Sequence, residues 1–170
     1  MSLLQNISHW LLSKKESASA NKKFFSWNEL KNVLIIAYDN QLSELADFMA
    51  ACQKENIKVE VAIIYDGKLE QAPKPPFDHL IIDKKQFSIW GLPKDELLQK
   101  LNSNPSDLLI NLGKEDCIKS LSIAKLSKAS CKVGKFQDSI FDLSIDVDKT
   151  NNAHQFLKQV VVYLQMIRTK

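Results

Sequence analysis

Apolar and polar positions alternate along this chain in two rhythms, one of strands and one of helices. Val33–Tyr38 (Val-Leu-Ile-Ile-Ala-Tyr) is a continuous apolar run of strand length, the pattern of a strand buried on both faces. Leu42, Leu45, Ala46, Phe48 and Met49 then recur at helical spacing over residues 41–55, and Lys58–Tyr65 returns to strand composition. Strand, helix and strand with short joints predict a right-handed parallel βαβ unit. Residues 66–78 hold Gly67, Pro73, Pro75 and Pro76, which exclude a helix there. Beyond them the pattern predicts a strand over His79–Ile82, a helix over 94–103, a strand over Asp107–Leu112 and a helix over 115–129. Strands over Cys131–Phe136 and Phe141–Val147 follow, then a closing helix over Asn151–Ile167. This alternation predicts an α/β fold: a single open, mostly parallel, Rossmann-like sheet with helices on both faces.

The body is preceded by a different pattern. Leu3, Leu4, Ile7, Trp10 and Leu11 mark one face of an amphipathic helix over residues 2–15, with Lys14 and Lys15 in its last turn, where cations suit the dipole. Residues 16–23 are small and polar and read as a flexible or loosely packed linker. The expected organisation is therefore 1–31 as amphipathic helix and basic linker, and 32–170 as the α/β domain.

Charge sharpens that division. The 170 residues carry a net charge of +3. Five lysines against two glutamates in residues 1–31 account for all of it, leaving eighteen basic and eighteen acidic residues in a neutral body. A neutral body argues against nucleic acid as a partner, since phosphate contacts need a basic face. The three cysteines, Cys52, Cys117 and Cys131, have no C-x-x-C spacing and suit small buried hydrophobes in a reducing compartment. No apolar run reaches the ~18 residues of a transmembrane helix, and the N-terminus lacks the plan of a signal peptide. A cytoplasmic location is the expectation.

Motifs exclude more chemistry than they suggest. None of Gly67, Gly91, Gly113 and Gly134 lies in a G-x-G-x-x-G or G-x-x-x-x-G-K-[ST] pattern, so no dinucleotide fingerprint or P-loop exists. Asp146-Val-Asp-Lys-Thr150 resembles the D-x-D-x-T of haloacid-dehalogenase-like phosphatases. The further Lys and acidic pair those enzymes need have no place in the 20 residues that remain after it. No G-x-S-x-G is present, and His9, His79 and His154 are scattered. Neither a metal nor a cofactor is expected. Lys125, Lys128, Lys132 and Lys135, followed by Asp138, Asp142, Asp146 and Asp148, read as a solvated, self-paired surface.

Ligands of open α/β sheets bind beyond the carboxyl ends of the strands. Reading those ends gives Asp39, Asp66 and Asn111, and the loop after the third strand adds Lys85 and Trp90 beside Phe87. Acidic and amide groups with a cation and an aromatic body suit a small polar ligand. The same Asp and Asn residues are also favoured in turns and helix caps, and Phe87 and Trp90 suit a plug at the sheet end.

A resemblance rests on Phe77–Lys84 (Phe-Asp-His-Leu-Ile-Ile-Asp-Lys), Trp90–Pro93 (Trp-Gly-Leu-Pro), Ser106–Leu112, Ser127–Gly134 and Phe141–Asp146. Over most of the chain these segments resemble an uncharacterised family of short bacterial α/β proteins, chiefly from the Bacteroidetes, with no assigned activity. More distantly, Asp107–Phe136 is similar to the acceptor-binding half of heptosyltransferase-type GT-B glycosyltransferases. There an acidic residue, a hydrophobic run, a polar turn, a helix and a basic-hydrophobic-Gly step recur in the same order. That likeness implies Asp39 as the position of a catalytic base. It departs from the pattern because the Gly-Asp turn after the first strand is replaced by Asp39-Asn40, and because one Rossmann-like unit is present. It therefore implies a degenerate domain without donor binding.

Two function classes emerge. The first is a binding or scaffolding module acting through protein contacts, with Leu4, Ile7, Trp10 and Leu11 docking on a partner, on a second copy or on the module's own sheet. The alternative is binding of a nucleotide, sugar or phosphate at the carboxyl edge by Asp39, Asp66, Lys85, Trp90 and Asn111. A third, weaker expectation lays the helix on a membrane surface.

Overall fold

The computed structural model describes residues 2–18, 21–146 and 152–167. Helix α1 spans Leu3–Lys14; β1 (Asn32–Tyr38), α2 (Ala46–Lys54) and β2 (Lys58–Tyr65) form the expected βαβ unit. Then come β3 (His79–Asp83), α3 (Asp95–Asn102), β4 (Leu108–Asn111), α4 (Ile118–Leu126), β5 (Cys131–Gly134), β6 (Leu143–Ser144) and α5 (Ala153–Met166). Among the described residues the strands form one sheet in the order β3-β2-β1-β4-β5-β6. Every pairing is parallel, where a mostly parallel sheet was expected.

The run at β1 is apolar throughout because helices cover both faces of the sheet. Val33, Ile35 and Ala37 pack with α2 and α5, where Phe156 is fully buried. Leu34 and Ile36 pack with α3, α4 and Leu12 of α1. Burying a side chain of this size contributes about 1.5–3 kcal/mol, so these two layers carry the fold.

Several boundaries differ from the sequence reading. The helix expected over 41–55 opens as a 3-10 turn over Asp39–Leu45 and becomes α-helical only at Ala46. The helix expected over 115–129 starts at Ile118 and stops at Leu126, where Asn102 caps it from α3. Its side-chain amide donates to Leu126 O at 3.1 Å and its carbonyl accepts from Lys128 N at 2.8 Å. The strand expected over Phe141–Val147 pairs only at Leu143–Ser144, because Phe141 turns inward edge-on against Phe136. Val147, Asp148, Thr150 and Asn151 lie outside the described residues, so the D-x-D-x-T stretch is seen only at the exposed Asp146.

The segment read as a loose linker is fastened where it is described. Lys125 Nζ donates to Leu12 O at 2.9 Å, Ala18 N donates to Lys125 O at 3.1 Å, and Lys132 Nζ donates to Ala18 O at 3.1 Å. Lys22 pairs with Asp142 at 2.9 Å. This corrects the picture of a solvated lysine–aspartate surface: Lys132 and Lys135 are 4% and 9% exposed. The physical reason is that a buried ammonium needs acceptors, and Lys132 finds one in the N-terminal segment, Ala18 O, and one in α4, Lys125 O. Among the described residues no helix is long and apolar enough to cross a membrane.

Candidate functional site

β1 and β4 are neighbours in the sheet, yet the chain leaves β1 toward α2 on one face and leaves β4 toward α4 on the other. Such a switch point opens a crevice at the carboxyl ends of the two strands. Gln41 ties its walls together: its carbonyl accepts from Tyr38 N at 2.9 Å and its amide donates to Leu112 O at 2.9 Å.

Asn111 ends β4 opposite Ile36 and is fully buried. Its Oδ1 accepts the Gly113 N–H at 3.0 Å, which fixes which way the amide faces and leaves Nδ2 buried without a partner. Gly113 is required by close approach, since a Cβ there would collide with Ser120 and sit 3.0 Å from Asn111 Oδ1. The Asn111 amide therefore lies beneath the first turn of α4. Ser120 donates to Cys117 O at 3.0 Å.

Tyr38 follows Ile36 by two residues on the same face of β1 and reaches across the end of β4. Its hydroxyl faces the Cys117 thiol and the Ser120 hydroxyl. Burial, reinforced by Cys117 and Asp66, raises its pKa well above that of an ordinary tyrosine. Tyr38 thus keeps its proton and can donate.

α4 begins here with no side-chain cap from Cys117. The N–H groups of Lys119 and Ser120, in its first turn, are among those a helix cannot satisfy internally. The Lys119 ammonium is ion-paired with Asp66 and lies 5.5 Å from the centre of the Phe87 ring.

The residues expected at the carboxyl edge divide. Asp66 and Asn111 come together around α4. Asp39 is exposed at the start of the turn leading to α2, and Lys85 is exposed in a turn where its N–H donates to Asp83 Oδ1 at 2.8 Å. Trp90 is half-buried in a loop fastened to α4 through Ser122 Oγ and Gly91 O at 3.2 Å, while Phe87 is buried in the core. Tyr38, Gln41, Cys117, Lys119 and Ser120 were missed. The available signal was two serines, Ser120 and Ser122, among the apolar residues of a helix, where both are fully buried. Cys117 is half-exposed, unlike the buried Cys52 and Cys131, which departs from the expectation of three buried thiols. Among the described residues no three His, Cys, Asp or Glu side chains are grouped to hold a metal.

A second surface lies on α1. The helix rests on the body through Ser8 and Leu12, leaving Leu3, Leu4 and Trp10 at 76%, 63% and 59% exposure. Ile7 and Leu11 are half-buried.

A family model described as "Family of unknown function (DUF6913)" matches residues 2–167. No curated protein matches the sequence. Among solved structures the chain is similar to the glycosyl transferase family 9 from Veillonella parvula DSM 2008, with a TM-score of 0.56 and 16% identity. The match covers 88% of this chain and 44% of that one, so this chain spans less than half of its length. Both resemblances read from the sequence hold, the second at the level of fold.

Proposed function

The chain belongs to a family of unknown function, DUF6913, and on that premise we propose that it is a binding module taking a small polar molecule in the β1–β4 crevice. The observation that carries this reading is the Asn111 side-chain amide, fully buried at a switch point with Nδ2 unpaired. A buried donor without a partner costs about 1–3 kcal/mol, which an occupant of the crevice recovers. The likeness in fold to one part of a glycosyl transferase supports a crevice suited to a ligand. With 44% of that chain matched, glycosyl transfer is not part of the reading.

Thermal unfolding of the wild type and Asn111→Asp, screened against nucleotides, sugars and divalent ions, tests it. Aspartate keeps the acceptor for Gly113 N–H and removes the unpaired donor. A ligand at a hundredfold its dissociation constant stabilises by about 2.7 kcal/mol, an easily seen shift. The reading expects stabilisation of the wild type alone. No stabilisation, or equal shifts in both proteins, overturns it.

The exposed ridge of α1 supports a second reading, a contact with a protein of acidic surface. Residues 2–15 contain no acidic side chain, and Lys14 and Lys15 close the helix. Salt-sensitive capture by the wild type, lost in Leu3→Ser/Trp10→Ser, supports this reading. A concentration-dependent dimer in sedimentation velocity, or binding to anionic vesicles, reassigns the ridge.

A further inference from the structure

The crevice holds an imbalance of hydrogen-bonding groups. The Asn111 Nδ2 is a donor with no acceptor. The uncapped first turn of α4 offers the N–H groups of Lys119 and Ser120, together with the positive end of the helix dipole. The Lys119 ammonium adds a positive charge, its side chain 27% exposed and paired with Asp66. Tyr38 adds a hydroxyl whose proton is retained. Ser120 spends its own proton on Cys117 O. The acceptor facing this set is Asp66, whose side chain is 62% exposed and arrives from the loop after β2.

We propose that the crevice binds an oxyanion, the phosphoryl or carboxylate group of a small molecule, on the Asn111 amide, the first-turn N–H groups of α4 and the Lys119 ammonium. The inference rests on the crevice being a ligand site and names the chemistry it accepts. In the free protein Asp66 occupies Lys119 in place of the ligand. Binding releases Asp66 toward solvent and turns Lys119 inward, while Tyr38, which spans the space between β1 and α4, moves aside and then donates to the bound group. Phosphate groups at helix N-termini are held by the same combination of N–H donors and dipole. Here the floor is a side-chain amide, so glycine-rich backbone is not needed.

The experiment uses the full chain labelled with 15N, titrated at constant ionic strength with inorganic phosphate, acetate, glucose and magnesium chloride. The expected result is saturable movement of the Lys119 and Ser120 backbone amides and the Asn111 side-chain NH2 with phosphate, or with acetate. The source of the oxyanion is read from which of the two saturates at lower concentration. Three variants give signed outcomes. Asn111→Asp abolishes the response, and Lys119→Met weakens it. Asp66→Asn tightens binding by about two- to fivefold, because an exposed ion pair of this kind competes for Lys119 with about that strength.

Weaker oxyanion binding in Asp66→Asn overturns the proposal. So does saturation by glucose or magnesium but not by phosphate or acetate, although the crevice reading then stands. Unsaturable shifts of equal size with phosphate, acetate and magnesium chloride overturn the oxyanion chemistry as an adventitious ion only. If no probe moves these three groups, both readings fall.

Discussion

Lys132 should make the stability of the fold rise with pH over a range where most proteins are flat. It is 4% exposed on β5, with its ammonium 3.1 Å from Ala18 O and 3.0 Å from Lys125 O. Burial, with Lys22 and Lys125 adding to it and Asp142 opposing it, pulls its pKa from 10.5 to about 8. Between those values the unfolded chain holds a proton that the folded chain has released, so stability increases with pH. Below pH 8 both states are protonated, and keeping the charge buried costs about 3 kcal/mol. Raising the pH from 7 to 9 returns about 1 kcal/mol of that cost.

Two thiols act in the opposite sense. Burial raises Cys52 and Cys131 from 9.0 to about 12, so unfolded thiolate begins to destabilise the fold as the pH passes 9. The clean readout is therefore a difference between two proteins. Lys132→Met keeps most of the apolar stem and removes the charge. It removes one donor each from Ala18 O and Lys125 O, the latter keeping the Ala18 N–H, a cost independent of pH. Urea unfolding of both proteins under reducing conditions at pH 7, 8 and 9 should show the wild type gaining about 1 kcal/mol on the variant. The thiols and Lys135, itself lowered mainly by burial, are common to both and cancel. Parallel profiles would refute the account of Lys132 as a buried, strained cation.

Phe156→Ala, which empties the largest fully buried position of α5, should cost about 3–5 kcal/mol in urea unfolding. A loss under 1 kcal/mol would contradict its place in the core. Gly113→Ala should cost about 1–3 kcal/mol by overpacking against Ser120, and less than additively when combined with Ser120→Gly. Additive costs would show that the contact is not the cause. Iodoacetamide at pH 7.5 should label Cys117 alone in the native protein, with Cys52 and Cys131 reacting only on unfolding, as read by mass spectrometry. More than one native adduct would contradict their burial. Leu12→Ala should lower the amide protection of residues 3–14 selectively, because Leu12 is the buried apolar anchor of α1.

Local signals carried the elements well where one interaction decided them. The apolar run of β1 reads as a doubly covered strand because both its faces are buried, and the prolines of residues 66–78 leave room only for a short 3-10 turn at Leu69–Gln71. The β6 boundary failed because Phe141 and Ile145 are apolar without both being paired. Phe141 is held by a ring contact in the loop, a cause that periodicity does not distinguish from a strand. The crevice was legible by half for a related reason. Asp66 and Asn111 are found by reading the residues at the carboxyl end of each strand. Tyr38 and Lys119 are placed only once β1 is known to neighbour β4, and adjacency in a parallel sheet is a tertiary fact.

The same distinction decides how α1 should be probed. Composition marks residues 1–31 as a basic tail on a neutral body, which invites a truncation. The tail's carbonyls at Leu12 and Ala18, however, are acceptors for Lys125 and Lys132, and its Lys22 is the salt-bridge partner of Asp142. Removing residues 1–20 would strip one acceptor from an ammonium that is 4% exposed, and a buried charge deprived of a partner costs far more than an exposed one. A truncated chain that lost binding would then report loss of fold as readily as loss of a docking face. Leu3 and Trp10 are exposed on the side of α1 away from Ser8 and Leu12, so replacing them alters the ridge and leaves the fastening intact. Surface substitution, with the unfolding midpoint held equal to the wild type, is the perturbation that separates the two roles of this segment.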